Sequence, residues 1–209
     1  SAYAAVAGEQ PETPTMGWSS WNTYHVNISE DLIKHQADLI KELGLDKLGY
    51  IYVNIDDGWF GGREADGTLK THPVRFPNGI APVCDYVHSL GLKAGIYSDA
   101  GEHTCGWRYD DDPYGEGVGF WNHDAQDAQF LFGRHSFDFI KIDFGGGEPA
   151  GNHLHIKMDE RERYTAIRKA IDKVRPGVRI NVCRWDYPGT WVREVGSSWR
   201  ICRDIKPQW

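Results

Sequence analysis

Five short apolar runs, each ending in polar or charged residues, constrain this chain more than any other feature. YIYVNID ends in Asp56 and Asp57, GIYSD in Tyr97 and Asp99, and FIKID in Lys141 and Asp143. INVCRWD ends in Arg184 and Asp186, and SWRICRD in Arg200 and Asp204. Runs of this length, rich in β-branched and aromatic residues, predict strands. Segments of helical periodicity lie between them. Ser29 is placed to cap a helix with apolar positions Leu32, Ile33, Leu39, Ile40 and Leu43, and Gly44 stands at its end. APVCDYVHSLG, HDAQDAQFLFG and MDERERYTAIRKAIDKVRPG predict three more helices, the last stopped by Pro176 and Gly177. TMGWSSW is a candidate first strand. Strand starts near 50, 93, 137 and 179 recur at intervals of about 42 to 44 residues, the scale of one strand, one helix and their loops. The intervals share no residue pattern, so they read as βα units with parallel strands and not as a solenoid.

Charge at the C-terminal ends of several different strands is the distribution that a (β/α)8 barrel requires, because its site is built at that face. A doubly wound nucleotide-binding sheet would need GxGxxG or GxxxxGK[ST] after a strand, and neither is present. DFGGG shares three letters with the kinase DFG, but no HRD loop or VAIK strand accompanies it. The expectation is an α/β TIM-type barrel over 13–209 with about six of its eight βα units in this chain, since a typical barrel takes roughly 250 residues. Residues 1–12 are read as an N-terminal extension. An unclosed barrel exposes edge strands, so either a second chain or fragment completes it or the chain associates with another.

At 209 residues and 40% hydrophobic content the chain can bury one sizeable core. A formal charge of -7 without a basic face excludes nucleic acid and anionic membrane as partners. No stretch reaches the apolar length of a membrane span. The opening SAYAAVAGEQP is too short and uncharged for a whole secretion signal and reads as the end of one or as a cloning remnant, which makes a secreted or extracytoplasmic location the expectation. Cys84, Cys105, Cys183 and Cys202 lack CxxC spacing, and their even number permits disulfides without requiring them. Nine Trp, ten Tyr and eight Phe are present, and the tryptophans often adjoin Gly, Ser, Asn or Asp. Aromatic faces beside hydrogen-bonding groups suit a sugar, although most of these rings are needed for the core.

Strand alternation puts Phe139, Lys141 and Asp143 on one face, where the lysine favours an ionised aspartate. Asp143 is therefore a candidate nucleophile or electrostatic stabiliser, and an ordinary ion pair at a barrel mouth is the alternative. Asp204, on a separate strand, is the natural second carboxylate. Two carboxylates across a pocket, one ionised and one able to hold a proton, are the apparatus of glycoside hydrolysis. Asp56 and Asp57 suit hydroxyl acceptors, with a turn or metal role as the alternative. Asp110, Asp111 and Asp112 lack EF-hand spacing and are expected in a solvated loop. His153 and His155, with no third ligand in view, are expected to be surface histidines.

These residues resemble those of the α-galactosidase group, glycoside hydrolase family twenty-seven. TPTMGWSSWN is similar to its first-strand motif, NIDDGW to its aspartate pair, GLKAGIYSD to its third strand, FIKID to its nucleophile strand and SWRICRDI to its acid/base strand. The resemblance runs from Thr13 to Ile205. It implies a retaining, exo-acting α-glycoside hydrolase that needs no metal or organic cofactor and acts on oligosaccharide or polysaccharide, terminal α-galactosides first. Asp143 is implied as nucleophile and Asp204 as general acid/base, with carboxyl groups roughly 5 to 5.5 Å apart. Trp18, Asp56, Asp57, Tyr97, Lys141 and Arg200 match sugar-contacting positions, and Trp185 and Asp186 adjoin them. Lys141 and Arg200 are expected to keep Asp143 ionised, and Asp204 to sit in a less polar setting that raises its pKa.

Two departures qualify the match. The family's CEW is CRW here, so Arg184 stands where a glutamate helps to read the 2-hydroxyl, and arginine cannot accept a hydrogen bond. Either Asp186 takes that role or the sugar differs, which leaves isomaltodextranase-like action on α-1,6-glucan and β-L-arabinopyranosidase action open. Gly145 replaces the family's cysteine two residues after the nucleophile, excluding a disulfide from Cys105 to that loop. A non-catalytic carbohydrate-binding fragment is the alternative of another class.

Overall fold

The computed structural model describes residues 14–205, so the expected N-terminal extension lies outside the described residues. Strand β1 (Gly17–Ser19) leads through the single turn α1 (Trp21–Tyr24) to helix α2 (Glu30–Glu42) and strand β2 (Tyr52–Asn54). A hairpin of β3 (Phe60–Arg63) and β4 (Leu69–Thr71) follows, then α3 (Ala81–Ser89), β5 (Lys93–Asp99), α4 (Cys105–Tyr109) and α5 (Asp124–Ala128). Strand β6 (Phe139–Asp143), helix α6 (Glu160–Val174), β7 (Arg179–Val182) and β8 (Ser198–Trp199) complete the described chain. Six strands form one parallel sheet in the order β1-β2-β5-β6-β7-β8. Each lies beside its predecessor, which is the succession of βα units that the strand rhythm predicts. Strands β1 and β8 stand at the edges of this open part of a TIM-type barrel.

Local chemistry sets the helix ends. The Ser29 hydroxyl accepts the Leu32 amide at 3.2 Å, and Asp159 accepts that of Glu162 at 2.8 Å. Gly44, with φ at 68°, supplies the left-handed turn after α2. The third expected helix is shorter than predicted, because beyond Ala128 it widens into a π-helical turn over Gln129–Arg134. The β3–β4 hairpin is not visible in the sequence pattern. It is held by contacts far along the chain: Arg63 binds Asp127 with two bonds of 2.7 Å, and Arg75 binds Asp112 at 2.5 Å.

The two faces of the sheet differ in chemistry. Val53, Ile96, Ile140, Ile142, Ile180 and Val182 are buried in a core shared with Ile33 and Ile40 of α2, Val83 and Val87 of α3, and Ile167 and Ile171 of α6. Each such side chain contributes roughly 1.5–3 kcal/mol of burial. The strand register builds rungs on the other face: Asn54, Gly95, Phe139 and Arg179, then Tyr97, Lys141, Asn181 and Ser198, then Asp99 and Asp143. The last rung, at the strand ends, is wholly acidic. Gly95 is dictated by contact, since a Cβ there would lie 1.8 Å from the Asn54 Oδ1.

Two expectations are corrected. Strand β8 is only two residues long, so Arg200 and Asp204 lie beyond the strand and not at its end. Asp110 and Asp112 are engaged: Asp110 accepts from His25 at 3.1 Å, and Asp112 holds Arg75 and the Tyr114 amide. These two are structural, while Asp111 is exposed as expected. All four cysteines are free thiols.

Candidate active site

Parallel strands bring their C-terminal ends to one rim, and there Lys141 and Asp143 project from the same face of β6. The Lys141 ammonium does not bind Asp143. It donates to both oxygens of Asp56, at 3.1 and 3.0 Å, and lies 5.1 Å from the centroid of the Tyr97 ring. The Ser19 hydroxyl also donates to Asp56. Burial, the largest single influence, lowers the Lys141 pKa, but Asp56, Cys183 and Asp143 together outweigh it and the net direction is upward.

Asp143 is 5% exposed and accepts the Phe144 amide at 3.0 Å. Burial raises its pKa, and Lys141 and the amide oppose that rise. Asp99, its neighbour in register, is fully buried and accepts the amides of Gly101 at 2.7 Å and Gly146 at 3.1 Å. Burial and then the charge of Asp143 push Asp99 well above the carboxylate range. Lys141 opposes the rise at Asp143 and not at Asp99, so Asp143 is the readier of the pair to ionise. The glycines after β6 serve close packing and not merely a turn: a Cβ on Gly146 would lie 2.2 Å from the His103 carbonyl oxygen. None of Gly145, Gly146 and Gly147 has positive φ.

Asp57, Tyr97 and Trp18 lie behind the site. Asp57 is 2% exposed, and its oxygens accept the amides of Gly58 at 2.8 Å and Gly106 at 2.6 Å. Burial pushes its pKa up to about 7. The Tyr97 hydroxyl accepts the Cys105 amide, and Trp18 packs edge-on against Tyr24. Asp56 and Asp57, expected as hydroxyl acceptors, have protein partners in this geometry. Asp56 is spent on Lys141 and Ser19, Asp57 on backbone amides, and neither lines the cavity.

That cavity, of about 830 Å³, has Lys141 and Asp143 at its floor and Trp185, Asp186, Arg200 and Asp204 among its walls. Six of the ten expected site residues are thus brought together. Arg200 turns to Asp204 at 2.8 Å rather than to Asp143, and the Asp204 side chain is 51% exposed, so the less polar setting expected for it is absent. Arg184 is clamped by Glu148 at 3.1 Å and Glu160 at 2.7 Å, with its guanidinium over the Phe144 ring. Its Nη1 is buried without a partner.

Glu148, Arg108 and Cys105 also line the cavity and escaped the sequence reading, because they come from loops and a short helix instead of strand ends. Only the fixed distance of Glu148 from the β6 motif could have signalled it. His153 and His155 are exposed, as expected, but His153 has partners. It lies 3.3 Å from Glu102 and 3.4 Å from Glu116, with its ring against His103. Glu102, His103 and His153 have metal-like proximity. The Nδ1 of His103 accepts the Gly117 amide, however, so its Nε2 carries the proton and is not free to ligate.

Comparison with known proteins agrees with this architecture. The family model described as alpha galactosidase A matches residues 13–209. A probable alpha-galactosidase of Dictyostelium discoideum is 40% identical over 200 residues, covering 94% of this chain and 47% of that protein. The structure of an α-galactosidase from Saccharomyces cerevisiae with raffinose superposes with a TM-score of 0.74 at 35% identity, over 90% of this chain and 39% of that one. A β-L-arabinopyranosidase of glycoside hydrolase family 27 from Geobacillus stearothermophilus, in complex with arabinose, gives 0.71 at 25% identity, over 96% and 56%. The chain spans about half the length of the curated relatives it matches.

Proposed function

The chain belongs to the alpha galactosidase A family, and on that premise we propose that it supplies the nucleophile and acid/base carboxylates of a retaining, exo-acting α-glycosidase, acting first on terminal α-galactosides. Asp143 attacks the anomeric carbon while Asp204 protonates the leaving oxygen, and Asp204 then takes a proton from the water that releases the sugar. The observation that carries this reading is that the buried Asp143 and the accessible Asp204 line one cavity together with Trp185 and Lys141. A buried carboxylate opposite a solvent-reachable one suits a nucleophile facing an acid that must later exchange its proton with water. Arg184 cannot accept a sugar hydroxyl, and Glu148 and Asp186 are the acceptors beside it.

A second reading has one specific support. The likeness to a β-L-arabinopyranosidase structure, at 25% identity and a TM-score of 0.71, supports a β-L-arabinopyranoside as the substrate. Hydrolysis of aryl α-galactoside, aryl α-glucoside and aryl β-L-arabinopyranoside, with Asp143→Asn and Asp204→Asn as controls, tests both. Turnover that survives Asp143→Asn would remove the assigned nucleophile, and sugar binding without any turnover would make the chain a carbohydrate-binding unit.

A further inference from the structure

Cys105 is the one thiol at the floor of the cavity that the proposed mechanism does not use. It opens helix α4, is 5% exposed, and has its Sγ within 4.8 Å of carboxylate oxygens of both Asp99 and Asp143. Gly145 leaves the room for it, since a Cβ at that position would come 2.7 Å from the sulfur. Its place is fixed from behind: the Cys105 amide donates to the Tyr97 hydroxyl, and the next amide, of Gly106, donates to Asp57. Burial pushes the thiol well above its ordinary range, so it remains S–H. Asp99 accepts backbone amides at both oxygens, whereas Asp143 accepts one at Oδ1 and has Lys141 committed elsewhere.

We propose that Cys105 is a positioning residue for Asp143: its S–H donates to the Asp143 carboxylate and holds that group ionised and aimed into the cavity. A thiol is a weak donor, but at a carboxylate only 5% exposed a weak donor to an ionised acceptor still favours the charged form. The inference rests on the reading of Asp143 as nucleophile. Its direct readout is the titration of Asp143, which does not require turnover. The other groups that face this carboxylate are Lys141 from its own strand, Tyr97 and Asp99 from β5, Tyr109 from α4, and Asp56, Cys183 and Arg200 from the flanking elements. Asp57 and Tyr164 stand behind them. Substitutions at Cys105 leave all of these in place.

The test is a pH titration of the side-chain carboxyl ¹³C signal of Asp143 in aspartate-labelled protein, assigned by its loss in Asp143→Asn. It compares the unchanged chain with Cys105→Ser, Cys105→Ala and Cys105→Val. The midpoint is expected to move upward in the alanine and valine variants and to stay near its original value in the serine variant, whose hydroxyl can donate. Where turnover is measurable, the acid limb of kcat/KM should move in the same direction, with a loss of about threefold to tenfold near neutral pH in the two variants without a donor. Equal midpoints in all four proteins, or a serine variant that follows valine, would show packing alone and overturn the proposal. If valine prevents folding by circular dichroism, the alanine and serine pair decides. Absence of turnover on every glycoside would remove the functional reading above while leaving the titration to judge the thiol.

Discussion

The floor and the wall of the cavity are built on opposite electrostatic terms. Asp143 at the floor, and Asp56 and Asp99 beneath it, are at most 5% exposed, and their oxygens are met by Lys141, Ser19 and backbone amides. At the wall Arg200 and Asp204 pair across a half-exposed gap, beyond a strand of two residues. Buried charges are tolerated only where partners are fixed, so the floor is rigid by necessity. The wall is screened by water and can rearrange at little cost. A nucleophile needs the first environment and a group that trades protons with water needs the second.

The largest test of that contrast is the leaving group. With an activated aryl leaving group, which needs little protonation, Asp143→Asn is expected to cost about ten-thousandfold in kcat and Asp204→Asn only about ten- to a hundredfold. Initial rates on a series of aryl glycosides of falling phenol acidity measure this, and equal losses across the series would erase the floor and wall distinction. Next in size, Lys141→Met strands Asp56 at 3% exposure, and urea unfolding should show a loss of about 3–5 kcal/mol.

Similar in size, but dependent on pH, is the contribution of Asp57, whose pKa is pushed up to about 7 in the folded chain. The folded state then binds a proton that the unfolded state releases. Stability is full below about pH 4 and falls as pH rises to 7, by on the order of 4 kcal/mol. Asp57→Asn should flatten that slope, and unfolding midpoints at acid and neutral pH would expose an unchanged one. Smallest of all, Arg200→Met breaks the exposed pair with Asp204 and should cost under about 1 kcal/mol, a difference that shrinks further in high salt. A loss as large as that of Lys141→Met would mean that the wall is not the screened surface described.

Much of the frame is legible along the chain because it depends on neighbours in sequence. The alternation of FIKID places Lys141 and Asp143 on one face, the apolar periodicity around Ile33 and Ile40 makes α2, and Ser29 caps it. The repeat of strand and helix likewise forces the parallel order of the six strands, since each crossover returns the chain to the same rim. The three glycines after Asp143 are visible too, but their reason is not. The contact of Gly146 with the His103 carbonyl joins loops that follow different strands.

Partner choice belongs to the tertiary structure. Lys141 is two residues from Asp143 and 85 from Asp56, yet it binds Asp56, and Arg184 finds Glu148 and Glu160 where a sequence reader would look to Asp186. Glu148, Cys105 and His153 reach their places through loops whose paths no periodicity encodes. Sequence by itself determined that charge follows several strands toward one rim, because strand direction and side-chain alternation are local. Only the folded sheet decided which charge meets which, because Coulomb energy and hydrogen bonding depend on distance through space and on the exclusion of water, and the chain order records neither.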